Sequence, residues 1–148
     1  MINIIKEVIL QMQRDGLPVT ASYGDKWLHA FNGVSTGTLV FFFDPQKYNF
    51  NVNNKEELHT VRWVAAYETI QNSADEVFNI NLENDIKELN IKFILRLFSY
   101  MNTTTSSKLI TDIQNVECSA FHDLKLFETP ASGFLCSLNA TLLLTDVC

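Results

Sequence analysis

From Phe134 to Leu144 the chain keeps a period of two: Phe134, Cys136, Leu138, Ala140, Leu142 and Leu144 fall on one side, with Ser137, Asn139, Thr141 and then Thr145 on the other. Successive side chains of a strand point to opposite faces, so this spacing demands a β-strand with one buried and one wetted face. Such a strand needs partner strands beside it and an apolar layer over its buried face. Val116, Cys118 and Ala120, leading into His122 and Leu124, predict the partner, and Thr129-Pro-Ala-Ser-Gly133 supplies turn chemistry between the two. A C-terminal hairpin follows.

The covering layer is legible as two helices. Leu82, Ile86, Leu89, Phe93, Leu97 and Met101, widened by Ile94 and Phe98, form an apolar stripe at steps of three and four residues, while Asp85, Lys87, Glu88, Lys92 and Arg96 lie largely elsewhere. The stripe predicts one long helix over about 82–101, with Asn81 as N-cap, Glu83 and Asp85 in the positive first turn, and the polar run 102–107 ending it. Ile2, Ile5, Ile9 and Met12 predict an N-terminal helix over about 2–14, closed by Asp15-Gly16-Leu17-Pro18. Glycine accepts a left-handed terminal turn there, and proline cannot extend the helix.

Between the helices, Lys26–Phe31 and Thr38–Phe43 are rich in aromatic and β-favouring residues and read as a hairpin through Asn32-Gly33. The second run is apolar on both faces, which places it centrally, and Pro45 ends it for want of an amide hydrogen. Val61, Trp63, Ala65 and Tyr67 alternate with Arg62, Val64, Ala66 and Glu68 as a further strand, the two alanines leaving a helix as the alternative. Residues 44–58, rich in Asn and Lys without a sustained period, read as an exposed, projecting loop or a projecting arm. The expectation is one α+β domain spanning 1–148, with a mainly antiparallel sheet of about four to six strands packed by the two helices.

Composition narrows the function. With 47% apolar and only 19% charged residues the chain can build a core. Its longest apolar run is far short of the roughly 20 residues of a membrane helix, and no signal-like sequence opens it. A net charge of −6, with Lys and Arg scattered singly, lacks the concentrated positive field that grips phosphates. Direct nucleic-acid binding and a membrane role are therefore disfavoured.

Chemical motifs are sparse. Cys118, Cys136 and Cys148 are odd in number and lack CxxC or Cys/His ligand spacing, so neither a disulfide framework nor a zinc site is expected. Cys118, His122 and Asp123 are the best catalytic candidates, since a thiolate beside an oriented imidazole is an activated nucleophile. Four residues along a strand, however, hold Cys118 and His122 well apart. Asp75-Glu76 and Glu83/Asp85 lack the oxygen-rich loop of a calcium site, Asn32-Gly33 with Gly37 lacks the spacing of a phosphate loop, and His29 and His59 stand alone. No catalytic, cofactor or metal residue is expected, and no enzymatic role. Aromatic residues enrich protein interfaces, so Phe43, Tyr48, Phe50 and Val52, in and beside the 44–58 loop, are expected at a subunit contact with Phe50 as anchor.

The element order resembles the small tail-terminator and neck proteins of tailed bacteriophages. The closing stretch Ala131-Ser-Gly-Phe-Leu-Cys-Ser-Leu-Asn-Ala-Thr-Leu-Leu-Leu-Thr-Asp-Val-Cys148 is similar to virion proteins of phages infecting Bacteroides-type hosts, including the crAss-like group. The resemblance implies a head-tail connector or tail-terminator subunit, a ring of six or twelve copies in the virion, assembled in the host cytoplasm. Its partners would be itself, the portal and other neck or tail proteins, with DNA only in passage. An adaptor protein, or a small-molecule-binding domain with a pocket between the long helix and the sheet, is the competing expectation.

Overall fold

A computed structural model describes residues 1–23, 37–45, 47–68, 76–99, 108–124 and 131–144, and their side chains except at 76–82, 108, 109, 122–124 and 144. The order is α1 (Ile2–Arg14), β1 (Val19–Tyr23), β2 (Leu39–Phe43), β3 (Lys47–Asn51), β4 (Glu56–Glu68), α2 (Glu76–Ser99), β5 (Lys108–Leu124) and β6 (Ala131–Leu144). The chain is α+β, its six strands forming one mixed sheet in the order β1-β2-β4-β6-β5, with β3 also on β4.

β4 pairs with β6 through its whole length, from Glu56 opposite Leu143 to Glu68 opposite Ala131, and β6 pairs in turn with β5, so the expected C-terminal hairpin is present. On its other edge β4 meets β2 and then β3, both antiparallel. Between Phe43, opposite Trp63, and Lys47, opposite Thr60, the β2–β3 side uses one residue more than β4. Asp44 keeps its place in the ladder, its N–H donating to the Arg62 carbonyl at 3.0 Å, and Pro45 after it has no ladder hydrogen to give.

Three expectations are corrected here. Of the two forms expected for residues 44–58, the loop gives way to the arm: β3, a turn at 52–55 and the start of β4 make a hairpin, with Asn51 Oδ1 accepting from the backbone N–H groups of Asn53 and Asn54. The sheet is mainly antiparallel, as expected, with one exception: β2 pairs in parallel with β1, which carries no clear alternation; residues 24–38 separate these strands, enough chain for the crossover that parallel pairing requires. With β1 and β4 on its two edges, β2 forms no hairpin with Lys26–Phe31, a segment outside the described residues. The long helix begins at Glu76 and ends at Ser99, so Asn81 lies inside it and is not the N-cap.

α1 matches its expected span. Ile4, Ile5, Val8, Ile9 and Met12 are buried on one stripe, each such side chain contributing about 1.5–3 kcal/mol on burial. Gly16, at φ +80°, closes the helix: its N–H donates to the Gln13 carbonyl and that of Leu17 to the Met12 carbonyl, both at 3.0 Å, so the last turn's orphan acceptors are satisfied. Both helices pack on one face of the sheet, over Phe41, Phe43, Trp63, Ala65, Leu138 and Leu142. Phe93 of α2 lies 5.2 Å from Phe41, 5.6 Å from Phe43 and 5.4 Å from Trp63 between ring centroids, the last edge-on. Arg96 of α2 pairs with Asp15 after α1 at 2.6 Å, tying the helix ends together. The opposite face carries a smaller cluster of Val40, Phe42, Val64, Ala66 and Ala131, with Phe121 against it. No described helix is long and apolar enough to cross a membrane.

Gly133 belongs to β6, facing Ala66, and not to the turn. A Cβ there would overlap the Ala65 carbonyl oxygen, backbone of the adjoining strand that cannot yield without parting the ladder. Gly133→Ala is expected to lower unfolding free energy by on the order of 3 kcal/mol in a denaturant titration; an unchanged midpoint would disprove the close approach.

Candidate functional site

α2 leaves a groove between itself and the β5–β6 hairpin, with a volume of about 610 Å³. Its walls are apolar: Ile91, Ile94 and Leu95 from the helix, Val116 and Ala120 from β5, Phe134 from β6. Asn90 and Cys118 give it a polar floor, while Glu83 and Lys87 stand along the first part of the helix.

Asn90 is one of few buried polar residues among those described. It occupies the apolar stripe one turn before Phe93, so its amide points at the sheet. Trp63 Nε1–H donates to Asn90 Oδ1 at 2.9 Å, and Asn90 Nδ2 donates to the sulfurs of both Cys118 and Cys136 at 3.3 Å. A buried indole N–H without an acceptor would cost about 1–3 kcal/mol; here donor and acceptor satisfy each other and fix the helix on the sheet.

Cys118 reaches this face through a bulge. Gln114 opposes Asn139 and Glu117 opposes Ser137, so two residues, Asn115 and Val116, stand against Leu138 alone. Asn115 takes the left-handed conformation, φ +55°, that the extra residue needs. Before the bulge Ile113 points to the helix face; after it the phase is reversed and Cys118 does, directly opposite Cys136. Burial pushes the Cys136 thiol well above the ordinary range and the neighbouring Cys118 adds to the rise, while the Asn90 amide opposes it. Cys118 itself is exposed in the groove.

A second surface is the arm. Tyr48, Phe50, Val52 and Leu58 are all substantially exposed, Val52 by 72%. Tyr48 stacks on His59 at 5.3 Å, and His59 Nε2–H donates to Glu57 Oε2 at 2.7 Å. His59 is therefore a buried, partnered histidine at the root of the arm, not the isolated residue its sequence context suggests.

Of the four expected interface residues, Tyr48, Phe50 and Val52 share the arm, but Phe43 does not join them. It is buried to 1% under α2, stacked with Tyr23 and Phe41, and is corrected to a core residue. A strand buried on both faces shows no polar side by which sequence could tell core from surface. For the Cys118, His122 and Asp123 candidate, the last two side chains and Cys148 lie outside those described, as do His29 and the Asp75-Glu76 side chains. The described residues contain no group of three or more His, Cys, Asp or Glu placed to hold a metal. Sequence reasoning passed over Asn90, whose only signal is an amide on an otherwise apolar helical stripe. Compared with known proteins, the chain matches no family model and no curated sequence.

Asn90→Leu is expected to cost about 1–3 kcal/mol by stranding the Trp63 indole, and Trp63→Phe in the same chain to restore part of it, measured as a double-mutant cycle. Additive losses would remove the hydrogen bond from its structural role. Burial raises the folded-state values of Tyr23, Tyr67 and the Cys136 thiol, with Asp85 adding to the rise at Tyr67. Each group holds its proton more tightly when folded, so its contribution is complete below the unfolded value and is lost as pH rises through the folded one. Stability should decline above the ordinary thiol value of 9.0, and Cys136→Ser should flatten the first part of that decline in an alkaline unfolding series.

Proposed function

We propose that this chain is a structural subunit that assembles with copies of itself, the arm of one copy seated in the α2–β5 groove of the next. The observation that carries this reading is a pair of unlike apolar surfaces on one chain. Tyr48, Phe50 and Val52 are exposed apolar side chains on the arm, and Ile91, Leu95 and Val116 border a concave apolar groove. A contact between two different patches is heterologous, and repeated by a constant rotation it closes a ring. The groove's occupant is thus a second copy of this chain, which presents the exposed Tyr48, Phe50 and Val52 of its own hairpin.

The resemblance to phage neck and tail-terminator proteins supports a more specific form of the proposal. In it the subunit is a non-enzymatic virion component, built into a ring of six or twelve copies in the host cytoplasm between portal and tail. DNA passes through without being held, and the net charge of −6 suits a channel that must not bind phosphate. No membrane takes part.

A second reading is favoured by the groove alone. Its volume of about 610 Å³ falls in the range of small-molecule pockets, and its apolar walls with a polar floor are the usual lining of one. A small-molecule-binding or adaptor domain would use the same groove without self-association.

Light scattering on the purified chain separates the two. The assembly reading expects a closed oligomer that Phe50→Asp weakens on the order of tenfold or more, with little change in Tm because Phe50 is exposed. Ile91→Asp, on the opposing surface, should weaken it likewise. A monomer at all concentrations, unaffected by either change, would favour the pocket reading.

A further inference from the structure

We infer that Cys118 and Cys136 are a cross-strand dithiol, closing to an intramolecular disulfide by exchange with a low-molecular-weight disulfide that enters the α2–β5 groove. The register places the two residues directly opposite each other on adjoining antiparallel strands. Either kind of antiparallel pair holds its Cα atoms about 4.5–5.5 Å apart, inside the span that a disulfide bridges. Both sulfurs lie 3.3 Å from the same Asn90 nitrogen, so they cannot be farther from each other than twice that distance. Both also point to the helix-bearing face, because the Asn115–Val116 bulge has reversed the phase of β5 ahead of Cys118.

The two thiols are unequal in access, and this sets the order of events. Cys118 is exposed on the groove floor while Cys136 is buried behind it. The Cys118 thiol gives its proton to water, and the thiolate attacks one sulfur of the small disulfide. That S–S bond breaks, and the leaving thiolate takes up a proton. The Cys136 thiol then loses its proton and attacks the Cys118 sulfur of the mixed disulfide, expelling the second small thiol. Two protein thiols and one small disulfide become one protein disulfide and two small thiols, a two-electron oxidation of the protein matched by reduction of the reagent.

Burial of Cys136 has a protective side. It is screened from external reagents, so its accessible reaction partner is the sulfur across the ladder. The Asn90 amide already holds both sulfurs toward one point. The inference is independent of self-assembly, since it concerns the groove floor of a single chain.

The test uses the chain with Cys148→Ser, which leaves both native cysteines of the pair and no third thiol. It is exposed, folded, to oxidised glutathione at about pH 8, near the ordinary thiol value, and read by intact mass and by mapping of unreduced peptides. The expected product is monomolecular, lighter by two hydrogens, carries no glutathione, and links the peptides of Cys118 and Cys136. Adding Cys136→Ser should trap glutathione on Cys118, whereas Cys118→Ser should leave Cys136 unmodified over the same time. A stable glutathione adduct on Cys118 beside a free Cys136 thiol would overturn the inference. So would a disulfide joining two chains, or two thiols that remain titratable throughout.

Discussion

The fold turns on how Trp63 is received. Its indole sits near the middle of β4, which is paired with β6 along its whole length, and, fully covered, it brings one N–H donor into an apolar layer. Burying that donor is tolerable only if an acceptor is carried to it, and α2 carries one in Asn90, a turn ahead of the Phe93 ring that meets the same indole edge-on. Polar and aromatic contacts from one helix therefore converge on one residue of the sheet. The helix's rotation and its height along the strands are both fixed by that convergence, and the groove beside it takes its width from the same placement.

How much of this could be read from the residues follows from how each element is buried. α1 and β6 have one covered and one wetted face, and selection for both writes the period into the sequence; Ile5, Ile9 and Met12 in one and Leu138, Ala140 and Leu142 in the other are enough to find them. β3 escaped because all five of its side chains are exposed, so no burial imposes alternation on it. β1 is short, with only Val19 fully buried. β5 is the most instructive. Ile110, Ile113 and Cys118 share one face although three and five residues separate them, because irregularities near Thr111 and at Asn115–Val116 each insert a residue into the count. A strand bent in this way loses the period by which strands are recognised.

The same reasoning explains why the groove floor was illegible. Cys118 and Cys136 meet only through the β5–β6 register, and that register depends on the bulge. Asn90 is visible as an amide in an apolar stripe, but its three partners come from strands 27 residues before it and 28 and 46 residues after it. A groove does lie between the long helix and the sheet, the place where the competing small-molecule reading would put its pocket. The arm was located in sequence but not resolved into a hairpin, because all five side chains of β3 are exposed and it carries only its turn residues as a signature.

The unbroken β4–β6 ladder has a mechanical consequence. Hydrogen bonds between antiparallel strands stand perpendicular to them, and here the partners run in register from the base of the sheet to the arm. A pull on the arm directed along β4 loads all those bonds together in shear, instead of opening them one by one from an end. The tip is thereby anchored to the body of the molecule through its stiffest direction.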